Sequence, residues 1–376
     1  MTSETGKASA ELSSRTFPRA VTIFIVTAFL FSTERSVVAE PAPPSPALQN
    51  LTVLRQRFRT ELLGQIDLQE REELSTDAKK KQIQQIRSSL TALQPDGSWK
   101  DLNYTANVST NWGPIVHIAR ILSAVQAWSY PKSPFFHDPQ ILAMSRKALD
   151  FWLNHDYVSY NWWNNEIGIP LRLYPLLILA PEQWTDAQKQ KVLEILARAN
   201  LDETHQKKTG QNLIWYAEIV IARATLKDDV AAARKAFARI EKEITRDQPE
   251  GIQWDNSFFQ HGEVFQSAAY GLDFSMSIPR LMRIAVGTDF QFSKNSVEVL
   301  GNFILDGQRW LVRRQAIEIS AMGRTYSRQG KNAIPIMRAC RLMVDVPSTR
   351  QEEFRSCAES IRLSTPMPIH GNRSFW

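Results

Sequence analysis

The stretch NWWNNEIGIP, residues 161–170, places two adjacent tryptophans in a polar setting. A buried tryptophan pair normally lies in an apolar run, because burial is what makes the indole valuable to a core. Asparagines flank Trp162 and Trp163, so we expect at least one ring to face a wet surface. Exposed indoles stack on the flat faces of sugar rings, and amides hydrogen-bond sugar hydroxyls. The competing interpretation is that both rings belong to the core.

Three more polar segments follow in chain order: TGQNLIW (209–215), GIQWDNSFFQHGEVFQSAAYG (251–271) and WLVRRQAIEISAMGRTYSR (310–328). Asparagine, histidine, tyrosine and arginine are types that act in acid–base and electrostatic catalysis. The candidates in these segments are Asn212, His261, Tyr270, Arg324 and Arg328.

Taken singly, each candidate also has an ordinary structural interpretation. Asn212 lies near a predicted helix start and could be a cap, and His261 beside a glycine could be one too. Tyr270 could be a core residue with a satisfied hydroxyl. Arg324 and Arg328 are four residues apart and could be surface charges.

Familiar catalytic and metal-binding signatures are absent from the sequence. It contains no HExxH, paired CxxC or GxSxG motif, and RQGKNA lacks the rest of a phosphate-binding loop. None of the six histidines lies at a spacing typical of metal ligands. The sequence therefore disfavours a metal-dependent mechanism.

Residues 1–39 indicate a secretory signal peptide. Two arginines precede the apolar run AVTIFIVTAFLF (20–31), and VVA (37–39) offers a small-residue cleavage site. We expect the mature chain to begin at Glu40, and residues 40–50 to form a Pro-rich linker. An uncleaved membrane anchor is the alternative, but the apolar run is short for a membrane span. The predicted location is extracellular or periplasmic, without a membrane partner after cleavage.

The formal net charge of the chain is +6. A mildly basic exported protein suits a polyanionic partner, which it attracts through steering and local counter-ion concentration. Export would also allow Cys340 and Cys357 to form one disulfide bond. Their sequence positions alone do not establish whether the two side chains meet.

Helix signals dominate the rest of the chain. The segment 185–200 opens with a Thr185/Gln188 capping box, and the segment 228–244 opens on aspartate caps. Strand alternation is confined to residues 313–323. Similar apolar spacing predicts helices at 51–68, 76–93, 114–129, 140–154, 166–180, 211–226, 263–285, 293–305, 331–343 and 350–362. Successive hairpins of roughly forty residues are typical of helix-pair arrays. Hairpins that close into an α/α toroid would form a groove from their connecting loops.

Together, the polar segments resemble polysaccharide lyase family 8, which includes hyaluronate, chondroitin AC and xanthan lyases. The resemblance lies in the order NWW-x-x-EIGIP, TG-x-N, SFFQHG with a later YG, and MGR-x-x-SR, and it covers residues 95–376. It implies an all-α fold, an incomplete α/α toroid of antiparallel helical hairpins over residues 51–365. Residues 366–376, which end in GNRSFW, would begin the passage to the family's C-terminal β-sandwich domains, before which this chain stops.

In such lyases an asparagine, a histidine, a tyrosine and an arginine form the catalytic group. The matching positions are Asn212, His261, Tyr270 and Arg324. The implied reaction is β-elimination from a uronate, without a cofactor. The amide would stabilise the enolate-like transition state, while Tyr270 takes the C5 proton and returns one to the leaving glycosidic oxygen. A free phenol titrates at about pH 10, so a base of this kind needs a cationic neighbour. Arg324 would be that neighbour, with His261 as the alternative base or as a hydrogen-bond partner.

The resemblance also implies a binding surface for the sugar chain. Trp162 and Trp163 fall on the aromatic patch that receives it, and Arg328 falls on a second substrate-contacting arginine. Asn161 and Asn165 would engage hydroxyl, carboxylate or sulfate groups. The expected partner is an acidic polysaccharide, and no nucleic acid.

Some features depart from the family pattern. Gln211 stands where alanine usually precedes the asparagine, Glu263 replaces the proline after His-Gly, and SAAYG lacks the glycine that often precedes the tyrosine. Glu263 adds negative charge near a polyanion site, so we expect an altered substrate preference. In the family the β domains close one side of the cleft and supply a further glutamate. Without those domains, we expect catalysis to be slower than in full-length family members. We also expect self-association through the exposed C-terminal face.

Two other functions compete with a lyase. A glycoside hydrolase on an α/α barrel would need two carboxylates across a cleft, for which Glu166, Asp255 and Asp273 are the nearby candidates. A glycan-binding protein without turnover would keep the aromatic patch after loss of the β domains.

Overall fold

The computed structural model describes residues 45–68, 76–201, 208–326 and 332–365. All of them fall within one compact unit of the chain. The predicted signal peptide (1–39) and the predicted passage to a β domain (366–376) lie outside these residues. Among the described helices, none is long and apolar enough to span a bilayer.

The described residues form twelve α-helices: α1 (Pro46–Leu68), α2 (Thr76–Ala92), α3 (Ile115–Ser129), α4 (Pro139–His155), α5 (Ile169–Leu179), α6 (Asp186–Leu196), α7 (Gly210–Lys227), α8 (Val230–Glu243), α9 (Tyr270–Ala285), α10 (Lys294–Asn302), α11 (Ile334–Val344) and α12 (Gln351–Arg362). Two π-helical turns, Asn164–Gly168 and Phe303–Gly307, precede α5 and follow α10. Short 3₁₀ segments are Pro181–Gln183, Gln308–Leu311 and Ile319–Thr325.

Local capping explains where several helices begin. The predicted capping box of α6 is confirmed: Thr185 Oγ1 accepts from the N–H of Gln188 at 3.2 Å, and Gln188 Oε1 accepts from the N–H of Thr185 at 2.9 Å. Asp229 caps α8 by accepting from the N–H of Ala232 at 2.9 Å. These bonds satisfy N–H groups that have no partner within the helix.

The helices form two layers. Helices α3, α5, α7, α9 and α11 each contact the next in this series, and α2, α4, α6, α8 and α12 pack against them from the other side. Each apolar helix stripe is thereby buried against neighbouring helices, as a layered α-domain requires. The predicted all-α fold of helical hairpins in an α/α toroid is confirmed.

Helix α1 lies across the layer formed by α3, α5, α7, α9 and α11. It contacts α3, α5, α7 and α9. Its Leu51, Leu54 and Phe58 are fully buried, and the Phe58 ring meets Tyr174 of α5 edge-on at 6.2 Å. The predicted linker over 40–50 is wrong for its last five residues, which are helical. Proline at the first helical position is compatible with a helix start, because its missing N–H would have no helical partner there.

Two small hairpins interrupt the helical pattern. β1 (Gly251–Ile252) pairs antiparallel with β2 (Phe258–Phe259), and β3 (Val312–Arg313) pairs antiparallel with β4 (Ala316–Ile317). The strand predicted at 313–323 is therefore correct only at its start, since the 3₁₀ segment follows β4.

The helix predicted at 263–285 begins only at Tyr270. Its first residues are held in another conformation, because Phe265 forms a β-bridge with Phe259 and the N–H of Gln266 donates to Phe258 O at 2.8 Å. Pairing with β2 thus overrides the helical spacing, and Tyr270 becomes the first residue of α9.

A buried polar triad joins α5, α7 and α9. The hydroxyl of Tyr174 donates to Glu218 Oε1 at 2.5 Å, and Arg280 forms an ion pair with the other oxygen of the same carboxylate. Burial and the nearby carboxylate raise the pKa of Tyr174 far above its usual value. Because an unpaired buried charge is costly, the triad fixes the relative placement of these three helices.

Cys340 and Cys357 lie on the neighbouring helices α11 and α12. Both are free, buried thiols, and each lies close enough to the other to influence its pKa. Burial raises the pKa of the Cys340 thiol. The sequence left open whether these cysteines meet; they do, as thiols.

Candidate active site

Two candidate catalytic residues meet at the start of α9. Tyr270 is half-buried and His261 is exposed in the loop after β2. The Nε2 atom of His261 lies 2.9 Å from the phenolic oxygen of Tyr270, and the rings meet edge-on with centroids 4.9 Å apart. A proton can be shared or passed along such a bond, in a direction that depends on the imidazole tautomer.

The pair continues into a series of aromatic rings. Trp215 of α7 lies 6.2 Å from Tyr270 between ring centroids, and Trp163 meets Trp215 edge-on at 5.6 Å. We call His261, Tyr270, Trp215 and Trp163 the aromatic row. Trp215 is not among the residues predicted from the sequence. Its place one helical turn after Asn212 was the available signal, since residues three apart share a helix face.

The tryptophan pair is neither fully exposed to solvent nor fully buried. Trp162 and Trp163 are half-buried and pack against the core. Trp163 lies over the π-helical turn at Gly168, where an added Cβ would come within 2.6 Å of the indole. Glycine at this position therefore lets the ring lie on the helix backbone with one part still accessible.

Both flanking asparagines support the loop that carries the tryptophans. Asn161 donates from Nδ2 to Ser109 O at 3.1 Å and accepts from the N–H of Trp163 at 3.0 Å. Asn165 accepts from the N–H of Ser159 at 2.7 Å and donates to Ser159 O at 2.8 Å. Each carboxamide has one further hydrogen and one further lone pair for another contact.

Asn212 lies in the first turn of α7, near the helix start that the sequence predicts. It is buried, and the N-cap of the helix is Thr209, so Asn212 is not the cap. Its carboxamide makes no hydrogen bond to another described side chain. A buried amide that is held in place by the first turn of a helix is a suitable donor for an anionic oxygen.

The start of α7 has an unusual backbone. Gly210 has φ +52°, and an added Cβ would come within 2.3 Å of Gln260 Oε1. The N–H of Gly210 donates to the buried carboxylate of Glu243, and the N–H of Gln211 donates to Gln260 Oε1 at 2.9 Å. Side chains from distant segments therefore fix the first turn that carries Asn212.

Glu243 is buried at the end of α8. Burial raises the pKa of its carboxyl to about 7, although the Gly210 N–H and the nearby Arg239 favour the ionised form. Local sequence patterns do not reveal Glu243, because its contact with Gly210 spans 33 positions.

The two candidate arginines lie at the edge of what the structure describes. Arg324 belongs to the 3₁₀ segment, but its side chain is outside the described part, and Arg328 lies wholly outside it. The backbone before Arg324 is fixed close to Tyr270: the N–H of Ala268 donates to Ala321 O at 2.8 Å.

Comparison with known proteins adds a family. The sequence profile of the polysaccharide lyase family 8 N-terminal α-helical domain matches residues 60–354. The chain belongs to polysaccharide lyase family 8. It is 30% identical over 241 residues to chondroitinase-AC of Pedobacter heparinus, a match that covers 64% of this chain and 34% of that protein. It is 23% identical over 196 residues to hyaluronate lyase of Staphylococcus aureus, covering 46% and 24%.

The fold matches solved lyase structures as well. A structure of chondroitinase AC lyase, reported with enzyme–oligosaccharide complexes, superposes with a TM-score of 0.74 at 24% identity, covering 85% of this chain and 45% of that one. The family 8 chain therefore spans about a third of the length of the first relative and under half of the matched structure.

The three candidate carboxylates for a glycoside hydrolase lie in different surroundings. Glu166 accepts a hydrogen bond from the hydroxyl of Tyr216. Burial and this carboxylate raise the pKa of Tyr216 well above its usual value. Asp255 accepts from the N–H of Ser257 at 2.9 Å in the turn between β1 and β2. Asp273 is exposed on α9. The family consists of lyases, which disfavours the hydrolase interpretation.

Proposed function

We propose that this family 8 chain cleaves uronate-containing acidic polysaccharide of the hyaluronan, chondroitin or xanthan type by β-elimination, leaving an unsaturated uronide. The observation that carries the proposal is the hydrogen-bonded pair of His261 and Tyr270 at the end of the aromatic row. A proton-transfer pair beside two indoles that meet edge-on is suited to proton removal from a bound sugar ring.

The reaction breaks the C5–H bond, forms a C4–C5 double bond and breaks the C4–O glycosidic bond. Proton removal is difficult because the neighbouring carboxylate already carries negative charge. Asn212 would donate to that carboxylate as charge builds on it, which stabilises the transition state more than the ground state. Tyr270 would take the C5 proton, and one proton would return to the leaving glycosidic oxygen.

The remaining candidates would hold the polymer. Trp162 and Trp163 would stack on pyranose rings through their accessible parts, and Asn161 and Asn165 would use their unused hydrogens and lone pairs. Arg324 would support ionisation of the phenol, and Arg328 would pair with a carboxylate or sulfate. The net charge of +6 agrees with a polyanionic substrate.

We also propose that the chain is exported, on the basis of the apolar run at 20–31 and the VVA site at 37–39. Mass spectrometry of the protein recovered outside the cytoplasm should give a mature N-terminus at Glu40. Retention of the uncut chain in the membrane fraction would contradict this proposal.

One incubation tests the reaction class. The protein is mixed separately with hyaluronan, chondroitin sulfate and xanthan, with the Tyr270→Phe variant as the matched control. A lyase gives near-ultraviolet absorbance from unsaturated uronides, which the variant should lack. New reducing ends without that absorbance would indicate a hydrolase. Binding without either product would indicate a glycan-binding protein.

A further inference from the structure

The carboxylate of Glu250 receives three hydrogen bonds from two separate segments of the chain. Its Oε2 atom accepts from Oγ1 of Thr209 at 2.7 Å and from Nε2 of Gln260. Its Oε1 atom accepts from the backbone N–H of Gly262 at 2.8 Å. We call Glu250 and these three donors the Glu250 latch. Hydrogen bonds to an ionised acceptor are stronger than neutral ones, so the latch ties together segments about 50 positions apart.

The latch acts on His261 from both sides. Gln260 precedes this histidine and Gly262 follows it, and both donate to the same carboxylate. His261 itself has φ +63°, in the left-handed region that residues other than glycine rarely adopt. Such a conformation persists when the surrounding structure over-determines it. Glu250 supplies that constraint, and the constrained ring is the one bonded to Tyr270.

The latch also reaches Asn212. Thr209 is the N-cap of α7, yet its hydroxyl makes no capping bond and donates to Glu250 instead. Gln260, held by Glu250 through its amide nitrogen, uses its amide oxygen to accept from the N–H of Gln211. One carboxylate is therefore connected to the residues directly before Asn212.

We propose that Glu250 is a positioning residue that holds His261 and Asn212 in the mutual arrangement required for β-elimination. This inference rests on the proposed function. Both carboxylate oxygens of Glu250 accept hydrogen bonds from the protein. Glu250 therefore acts through the two segments and does not touch the glycan. Loss of the latch should lower the rate of the chemical step and leave glycan affinity unchanged.

Four variants test the proposal. Glu250→Gln keeps the size of the side chain but sets an NH₂ group against at least one of the three donors. Thr209→Val keeps the shape and removes only the hydroxyl. The double variant measures coupling between them. Glu298→Gln is the control: it removes the same charge from an exposed site on α10.

For Glu250→Gln we expect kcat to fall about 10- to 100-fold, the size of effect that a small misplacement of reacting groups produces, with KM unchanged. Thr209→Val should give a smaller fall. The double variant should be no slower than Glu250→Gln, because both substitutions break the same bond. Amide hydrogen exchange should become faster in residues 209–213 and 258–264 and stay unchanged in α12. Glu298→Gln should match the wild type.

Unchanged kcat in Glu250→Gln would overturn the proposal, as would additive losses in the double variant. Faster exchange throughout the molecule would show that Glu250 serves overall stability instead. If the wild type releases no unsaturated product, the proposed function fails. Hydrogen exchange alone then decides whether Glu250 positions the two segments. Unchanged exchange in both segments would in that case reject the positioning role as well.

Discussion

The imidazole Nε2 of His261 lies 2.9 Å from the phenolic oxygen of Tyr270, nine positions further along the chain. This distance depends on the segment between them. Its pairing with β2 turns the backbone back, and α9 begins at Tyr270 itself. A helix over 263–285, as the apolar spacing predicts, would carry the tyrosine two turns into α9. The irregular backbone is therefore what creates the pair.

Replacing Tyr270 by phenylalanine should abolish turnover. Only the hydroxyl is lost, so we expect kcat to fall by at least about 100-fold, as for loss of a general acid–base group, with glycan affinity retained. The measurements are the rate of unsaturated product formation and calorimetric titration with an oligosaccharide. The matched control is Tyr157→Phe, because no hydrogen bond joins the Tyr157 hydroxyl to another described residue. Retention of more than about a tenth of the wild-type kcat by Tyr270→Phe would contradict a role in proton transfer.

Replacing Asn212 by alanine should lower kcat by about 10²- to 10³-fold, the cost of losing one donor to a developing anion. Thr209, and not Asn212, is the N-cap of α7, so the melting temperature should change little. Steady-state kinetics and thermal unfolding check both statements. A change in KM alone would reduce Asn212 to a binding residue.

Much of the fold could be predicted from local signals. The spacing of apolar residues and the caps of α6 and α8 predict helices that the structure contains, because these signals act within a few residues. The β1–β2 hairpin and the late start of α9 could not be predicted, since they depend on contacts such as Gln266 with Phe258. Helical spacing in 263–269 was outweighed by those contacts.

The candidate site shows the same limit. The resemblance to family 8 pointed to His261 and Tyr270, and the structure brings them together. It did not point to Trp215, Glu243 or Glu250, whose importance comes from partners on other segments. The bond between Glu250 and Thr209 spans 41 positions, so no local pattern could reveal it.

Replacing Trp162 or Trp163 by alanine should weaken glycan binding by about 1–3 kcal/mol each, if stacking on sugars resembles stacking on bases in size. Both rings are half-buried, so some thermal stability will be lost as well. Calorimetric titration with an oligosaccharide separates the two effects.

Trp128→Ala is the control for the tryptophan variants. Trp128 is half-buried and stacks on His137 at the far end of α3, roughly 20 Å along the helix from Ile115, which lies near Trp163. It should lower stability without changing affinity. If Trp162→Ala and Trp163→Ala behave in the same way as this control, the rings are core residues.

The carboxyl of Glu243 should make the free energy of unfolding depend on pH. Its pKa is about 7 in the folded chain, against an ordinary value of 4.5. Between these values the folded state holds a proton that the unfolded state has released, so stability falls as pH rises. The loss in the free energy of unfolding is absent below pH 4.5, grows to about 3 kcal/mol near pH 7 and is constant above it.

Glu243→Gln keeps an acceptor for the Gly210 N–H but cannot ionise. Its stability relative to the wild type should therefore increase from pH 4.5 to pH 8, measured by urea unfolding. Glu298→Gln, whose carboxylate is exposed to water, provides the comparison. A constant difference between the wild type and Glu243→Gln across this range would show that burial does not hold the proton on Glu243.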